Sequence, residues 1–195
     1  MGQLLNEGSN HFAVVCLCGS AGAIEAYKTI LARLTAAHGV AIVVLAHRPP
    51  GNSTLLAVLA KASDLPMAEV AEGMALEPNH VFLMPPRGVH LTTTGRSFHL
   101  KANRKLGLPT SISVFLLSLA ASVGSRAIAV ILSGMAADGS SALGAIKAAG
   151  GETFAQSGAE YDSMPQHAIN TGHVDYICSA AEIGARLADM FHASR

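Results

Sequence analysis

Three residues that follow apolar segments are of the types that catalyse acyl transfer. Ser20 comes just after FAVVCLC, His47 follows VAIVVLA, and Asp138 lies in the loop after AIAVILSG. A serine hydroxyl can attack a carbonyl carbon when a histidine accepts its proton and a carboxylate holds that histidine in the required tautomer. The three residues therefore predict a Ser-His-Asp triad, provided that the fold brings them together.

Each of the three residues also has a purely structural explanation. Ser20 lies in the turn Gly19-Ser20-Ala21-Gly22, where a serine can cap the following helix or the turn can hold a phosphate. A loop histidine such as His47 commonly only meets solvent, and Asp138, followed by glycine and serine, is suited to cap a helix. The G-x-S-x-G elbow of α/β-hydrolases is not met, because Cys18 occupies its first glycine position.

The surrounding elements would place the three residues at one edge of a sheet. Apolar strand-like segments, among them RAIAVILSG and ETFAQ, alternate with alanine- and leucine-rich helical ones, among them AIEAYKTILARLTAAHG and SISVFLLSLAASVG. This alternation predicts an α/β fold with a doubly wound, mainly parallel sheet flanked by helices. In the middle, HVFLMPP and VHLTTTGRSFHLK predict a short strand and a hairpin turning near Thr94-Gly95, a small antiparallel extension. Sites in such sheets form outside the carboxyl ends of the strands, where Ser20, His47 and Asp138 are all expected.

Length, composition and charge disfavour several classes of protein. The 195 residues fit a single domain, 1–195, and half of them are hydrophobic, which is enough for a substantial core. Thirteen basic residues balance thirteen acidic ones, so no overall field favours nucleic acid or an anionic membrane. We find no secretory signal in the first ten residues and no apolar run long enough to span a bilayer, and we expect a cytoplasmic protein without membrane insertion.

The cysteines indicate a reduced protein. Cys16, Cys18 and Cys178 are odd in number and lie inside apolar segments, which favours core thiols over a disulfide framework. Cys16 and Cys18 would share one face of a strand, but no second cysteine pair at ligand spacing accompanies them. The sequence therefore gives no support to a zinc site.

Several motifs together resemble the catalytic domain of the bacterial chemotaxis protein-glutamate methylesterases. The matches are CGSAGA with Ser20, LAHRPPG with His47 and LSGMAADGS with Asp138, and they continue through EGMALEPNHVFLMPPRGVHL and AQSGAEYDSMPQHAI. The resemblance implies these three residues as the triad, with Met135 at the oxyanion site and the Ala21 amide as a further donor. It also implies hydrolysis of methylated glutamate side chains on chemoreceptors, with related glutamine deamidation, and neither a metal nor an organic cofactor.

The chain departs from the family's pattern at several positions. Ala23 stands where a second glycine usually follows the serine, and Ala46 stands where a glutamine commonly precedes the histidine. Pro109-Thr110-Ser111-Ile112-Ser113 replaces a run resembling R-P-S-x-D, so the charged pair expected to contact a receptor is absent. The remaining candidates for a substrate-binding cation are Arg48, and Arg87 or Arg104 near the hairpin.

The resemblance also shapes what we expect of regulation and of alternative functions. About a dozen residues precede the first predicted strand, so the family's receiver domain is not expected, and the chain would be a fragment, a stand-alone esterase or a protein controlled by a separate regulatory chain. One alternative is a protein of the esterase fold that has changed its substrate or become a binding module. Another is a phosphate or nucleotide binder, which the missing G-x-G-x-x-G motif disfavours.

Overall fold

The protein is described here by a computed structural model over residues 11–47, 54–86, 88–102 and 111–192. The strands are β1 (Val14–Gly19), β2 (Ala41–Ala46), β3 (Met67–Glu69), β4 (Val81–Leu83), β5 (Val89–Thr93), β6 (Phe98–Ala102), β7 (Ala127–Ile131), β8 (Glu152–Gln156) and β9 (Tyr176–Cys178). The α-helices are α1 (Ile24–Leu31), α2 (Thr54–Leu59), α3 (Ser111–Val123), α4 (Leu143–Ala148), α5 (Ser163–Ile169) and α6 (Ala180–His192). Within these ranges no helix has both the length and the apolar character needed to cross a bilayer.

The main sheet has seven strands in the order β3-β4-β2-β1-β7-β8-β9, and all neighbouring pairs are parallel. Strand β1 lies in the middle of the sheet. The chain first forms the half that contains β2, β3 and β4, and then returns to the other side of β1 to form β7, β8 and β9. The strand order therefore reverses beside β1, which is where open parallel sheets form a crevice. The antiparallel pair β5-β6 stands apart, and its turn passes through Gly95 at φ 84°. The predicted fold class and its hairpin extension are confirmed.

The two faces of the sheet are covered by different helices. Cys16 and Cys18 point to one face and pack with residues of α3, α4 and the hairpin, whereas Leu17 points to the other and packs with α1, α2 and α6. Burial on both faces explains why β1 and β2 are apolar at nearly every position and not at every second one. Burial also raises the pKa of the Cys16 and Cys18 thiols, which keeps both of them protonated inside the core.

The structure differs from the sequence-based prediction in two elements. The segment AIEAYKTILARLTAAHG is not one helix, because α1 ends at Leu31 and a separate 3₁₀ turn covers Ala36–His38. Leu34 still lies in the core, and after it the Thr35 amide donates to the Nδ1 atom of His38 at 2.8 Å and so begins the new turn. The short strand β3 was not predicted, since three residues of mixed exposure carry too little alternation to be recognised.

Core packing on β1 gives a direct test of this architecture. We expect Leu17→Ala to lower the free energy of unfolding by about 2–5 kcal/mol, because it leaves a cavity around a fully buried side chain. The matched control is Leu117→Ala, at a leucine of α3 that is 49% exposed, which should cost less than about 1 kcal/mol. Urea denaturation of both variants measures the difference, and equal costs would contradict the assignment of Leu17 to the core.

Candidate active site

The three predicted catalytic residues follow three neighbouring strands at the carboxyl edge of the sheet. Ser20 follows β1, His47 follows β2, and Asp138 lies in the loop after β7. The parallel register pairs Gly19 with Ala46, so the positions after the ends of β1 and β2 are level with each other. The sheet therefore brings all three residues to its carboxyl edge, around the central strand β1.

His47 and Asp138 form a buried hydrogen-bonded pair. The Nε2 atom of His47 lies 2.9 Å from the Oδ2 atom of Asp138, and their side chains are 4% and 0% exposed. Ninety-one positions separate the two residues along the chain, so tertiary structure alone creates the contact. With Nε2 donating to the carboxylate, the Nδ1 atom of the neutral ring is left as a proton acceptor.

The Asp138 carboxylate is also bound to the N-terminus of α3. The Ile112 amide donates to Oδ2 at 3.0 Å, and the Ser113 amide donates to Oδ1 at 3.0 Å. Burial alone would raise the pKa of Asp138, but the hydrogen bonds from His47, Ser113 and Ile112 outweigh it and hold that pKa below its ordinary value. Asp138 thus caps a helix, though not the one that follows it in sequence, and it remains an anion.

Ser113 is a member of the site that sequence reasoning missed. Its Oγ donates to Oδ1 of Asp138 at 2.9 Å and accepts a hydrogen bond from the Gly139 amide at 2.8 Å. The residue is only 8% exposed, so its hydroxyl serves these two buried partners and not the surface. The sequence showed only a small polar residue near the start of a predicted helix at this position, and such a residue is compatible with many roles.

Ser20 is held close to the loop that follows β7. Its amide donates to the carbonyl oxygen of Ser133 at 2.9 Å. A Cβ atom placed on Gly134 would lie 3.2 Å from the Cβ atom of Ser20 and 2.7 Å from the sulfur of Met164, so only glycine fits there without a shift. Ser20 and His47 both lie in the described part of the chain, and no hydrogen bond joins their side chains.

Two main-chain amides near Ser20 are available to an incoming ligand. Among the described residues, the Ala21 and Met135 amides donate no hydrogen bond, although the carbonyl oxygens of both accept one, from the hydroxyls of Ser133 and Ser163 respectively. The Met135 side chain is 68% exposed beside this edge of the sheet. Preorganised amides of this kind stabilise the oxyanion that forms during acyl transfer.

Ser133 fixes the loops around the nucleophile relative to one another. Its Oγ donates to the Ala21 carbonyl at 2.8 Å and accepts from the Tyr161 amide at 3.0 Å. Its own amide donates to the side-chain oxygen of Gln156, the last residue of β8, at 3.0 Å. The loops after β1, β7 and β8 are therefore connected through one serine, which limits the movement of Ala21.

The predicted cations of the site lie outside the described residues. This applies to Arg48, Arg87 and Arg104, and also to Pro109. The ranges that the structure describes contain no cluster of three or more histidine, cysteine, aspartate or glutamate side chains that could hold a metal ion.

Comparison with known proteins places this arrangement in a family. The model of the CheB methylesterase family matches residues 15–187. The chain belongs to the CheB methylesterase family. The crystal structure of the Thermotoga maritima CheB methylesterase catalytic domain superposes with a TM-score of 0.85 at 28% identity, covering 93% of this chain and 100% of that one. The family match and the solved fold agree with the resemblance inferred from the sequence motifs.

Sequence relatives extend over most of the chain. The protein-glutamate methylesterase/protein-glutamine glutaminase 2 of Pseudomonas aeruginosa is 30% identical over 89% of this chain and 52% of its own length. The corresponding enzyme 1 of Caulobacter vibrioides is 30% identical over 93% of this chain and 55% of its own length. An uncharacterized 104.1 kDa protein of Rhodobacter capsulatus is 41% identical over 69% of this chain, which covers only 14% of that protein. The chain thus spans about half the length of the two methylesterases.

The bonds of Ser113 predict a measurable contribution to stability. We expect Ser113→Ala to lower the free energy of unfolding by about 1–3 kcal/mol, since it removes a donor to a buried carboxylate and leaves the Gly139 amide unpaired. Ser141→Ala is the control, because that exposed residue makes only one longer hydrogen bond, to the Ser113 hydroxyl at 3.3 Å, and its loss should cost less than about 0.5 kcal/mol. Thermal unfolding followed by circular dichroism compares them, and an unaffected Ser113→Ala variant would contradict this role.

Proposed function

We propose that this chain hydrolyses the methyl esters of glutamate side chains on chemoreceptors, with Ser20 as nucleophile, His47 as general base and Asp138 as the residue that orients the base. The observation that carries the proposal is the buried 2.9 Å contact between His47 and Asp138, at the sheet edge where the Ser20 turn also lies. Membership of the CheB methylesterase family and the names of the relatives support this choice of substrate.

The reaction begins with the Ser20 hydroxyl. In this proposal a small rotation of its side chain brings Oγ to the free Nδ1 atom of His47, which takes the proton as Oγ attacks the ester carbonyl. The negative oxygen that forms accepts hydrogen bonds from the Ala21 and Met135 amides. Collapse of the intermediate expels the methoxy group, which takes the proton from His47 and leaves as methanol.

The second half of the reaction restores the enzyme. Water enters, gives a proton to His47 and attacks the glutamyl ester of Ser20, which releases the glutamate carboxylate and returns the proton to the serine. Ionised Asp138 stabilises the positive charge that His47 carries in each half-reaction, which is consistent with its lowered pKa. Loss of ammonia from a glutamine side chain follows the same steps, and the names of the relatives include a glutaminase activity.

The partner in this proposal is a methyl-accepting chemoreceptor or a similar methylated protein. Such a surface is rich in carboxylates, so a cation beside the triad would help to orient it. Arg48, directly after His47 in sequence, is the residue we propose for this contact. We further propose that the chain acts in the cytoplasm, without a cofactor, as one catalytic domain open to control by a separate regulatory chain.

Removal of the nucleophile tests the proposal. We expect Ser20→Ala to lower methanol release from methyl-labelled receptor by at least about a thousandfold, because loss of a triad member typically costs that much. The control is Ser157→Ala, which changes an exposed serine that likewise follows a strand, β8, at the same edge of the sheet. It should keep the wild-type rate.

The possible outcomes of this experiment separate clearly. Wild-type activity in Ser20→Ala would refute the nucleophile assignment. Loss of activity in both serine variants would instead indicate that the substitutions damage the sheet edge. Unfolding curves of both variants that match the wild-type curve would exclude such damage.

A further inference from the structure

Ser133 binds the chain on both sides of the Ala21 amide, one of the two amides proposed to stabilise the oxyanion. The Ser20 amide donates to the main-chain carbonyl oxygen of Ser133 at 2.9 Å. The Ala21 carbonyl oxygen accepts a hydrogen bond from the Oγ atom of Ser133 at 2.8 Å. The Ala21 amide lies between these two bonded groups along the chain, so a single residue restrains the backbone before it and after it.

The peptide group that contains the Ala21 amide is restrained as well. Its carbonyl oxygen belongs to Ser20 and accepts a hydrogen bond from the Ala23 amide at 3.3 Å. Because a trans peptide group is planar, its N–H points away from its C=O in the same plane. The contact with Ala23 therefore helps to direct the Ala21 N–H away from the start of α1. This bond is long, which leaves the two shorter bonds of Ser133 as the stronger restraint.

The second proposed amide, that of Met135, is directed through the same loop. It shares a peptide group with the Gly134 carbonyl oxygen, which accepts a hydrogen bond from the Met164 amide at 2.9 Å. The Gly134 amide donates to the Tyr161 carbonyl oxygen at 2.9 Å, and the Tyr161 amide donates to the Oγ atom of Ser133 at 3.0 Å. Tyr161 is thus bound through both of its main-chain groups, and Ser133 takes part in holding each of the two amides.

Ser133 is itself fixed to the sheet. Its amide donates to the side-chain oxygen of Gln156 at 3.0 Å, and Gln156 pairs with Cys178 of β9. The serine is only 1% exposed, so its hydroxyl meets protein atoms and not a substrate. A continuous path of hydrogen bonds therefore runs from β8 through Ser133 to the backbone of Ala21.

We propose that Ser133 is a positioning residue of the esterase, whose hydroxyl holds the Ala21 amide in the direction that the oxyanion requires. This role rests on the proposed function, because it assumes that Ser20 forms a tetrahedral intermediate. Amides that already point at the oxyanion contribute more to the rate than amides that must first turn toward it. The bound ester carries no such charge, so loss of the hydroxyl should affect kcat more than KM.

Kinetics of Ser133→Ala test this role. We expect kcat for methanol release from methyl-labelled receptor to fall at least about tenfold, since loss of a complete oxyanion donor costs about a hundredfold or more. KM should change less than about threefold. Ser133→Thr, which keeps a hydroxyl, should recover most of kcat, and Ser157→Ala, at an exposed serine of the same sheet edge, should match the wild type. An unchanged kcat, or a loss expressed only in KM, would overturn the proposal.

A transition-state analogue measures the oxyanion contact separately. A trifluoromethyl ketone analogue of the methylated side chain adds to a reactive serine and forms a tetrahedral oxyanion. Its inhibition constant should rise in Ser133→Ala by about the factor by which kcat/KM falls, and an unchanged inhibition constant would overturn the proposal. If Ser133→Ala does not fold, Gln156→Met replaces it, because methionine is of similar size and lacks the acceptor for the Ser133 amide. That variant should lower kcat at least about threefold.

A measurement without substrate separates this role from the proposed function. Wild-type activity in Ser20→Ala would refute the function, and the positioning of Ala21 is then decided by NMR relaxation of the backbone amides. The order parameter of the Ala21 amide should be about 0.85 in the wild type and fall below about 0.6 in Ser133→Ala. Equal order of this amide in the two proteins would overturn the role of Ser133.

Discussion

The geometry of the catalytic edge depends on one buried carboxylate. Asp138 accepts four hydrogen bonds, from the His47 ring, the Ile112 amide, and the amide and hydroxyl of Ser113. A buried anion requires such partners, because an unsatisfied charge inside a protein costs far more than these bonds contribute individually. Satisfying it fixes the loop after β7, the start of α3 and the residue after β2 relative to one another, and so sets the direction of the proposed base.

The parallel sheet brings residues that are far apart along the chain close together at its carboxyl edge. Because β2, β1 and β7 are neighbours in one register, residues that are far apart in sequence emerge side by side at their carboxyl ends. Ser133 then links three of the loops, and Gly134 leaves room for the nucleophile.

The sequence predicted what depends on local pattern, and it failed where tertiary contacts decide. Strand-like runs located β1, β2, β7 and β8, and this was enough to place Ser20, His47 and Asp138 at one edge. The sequence could not show that Asp138 caps α3, which lies far from it along the chain. The hydrogen bond between Ser113 and Asp138 forms only when α3 packs beside the loop after β7. The break after α1 was missed as well, because the apolar pattern continues through Leu34, and the contact between the Thr35 amide and the His38 ring that begins the separate turn is not visible in that pattern.

Reaction with a fluorophosphonate, followed by peptide mapping, tests the central claim most directly, because the reagent reacts with a serine that a histidine activates. The account predicts a single phosphonyl adduct on Ser20 in the wild-type protein, with labelling slowed at least about a hundredfold in His47→Gln. An adduct on another serine, no adduct, or an unchanged labelling rate in a folded His47→Gln variant would contradict it.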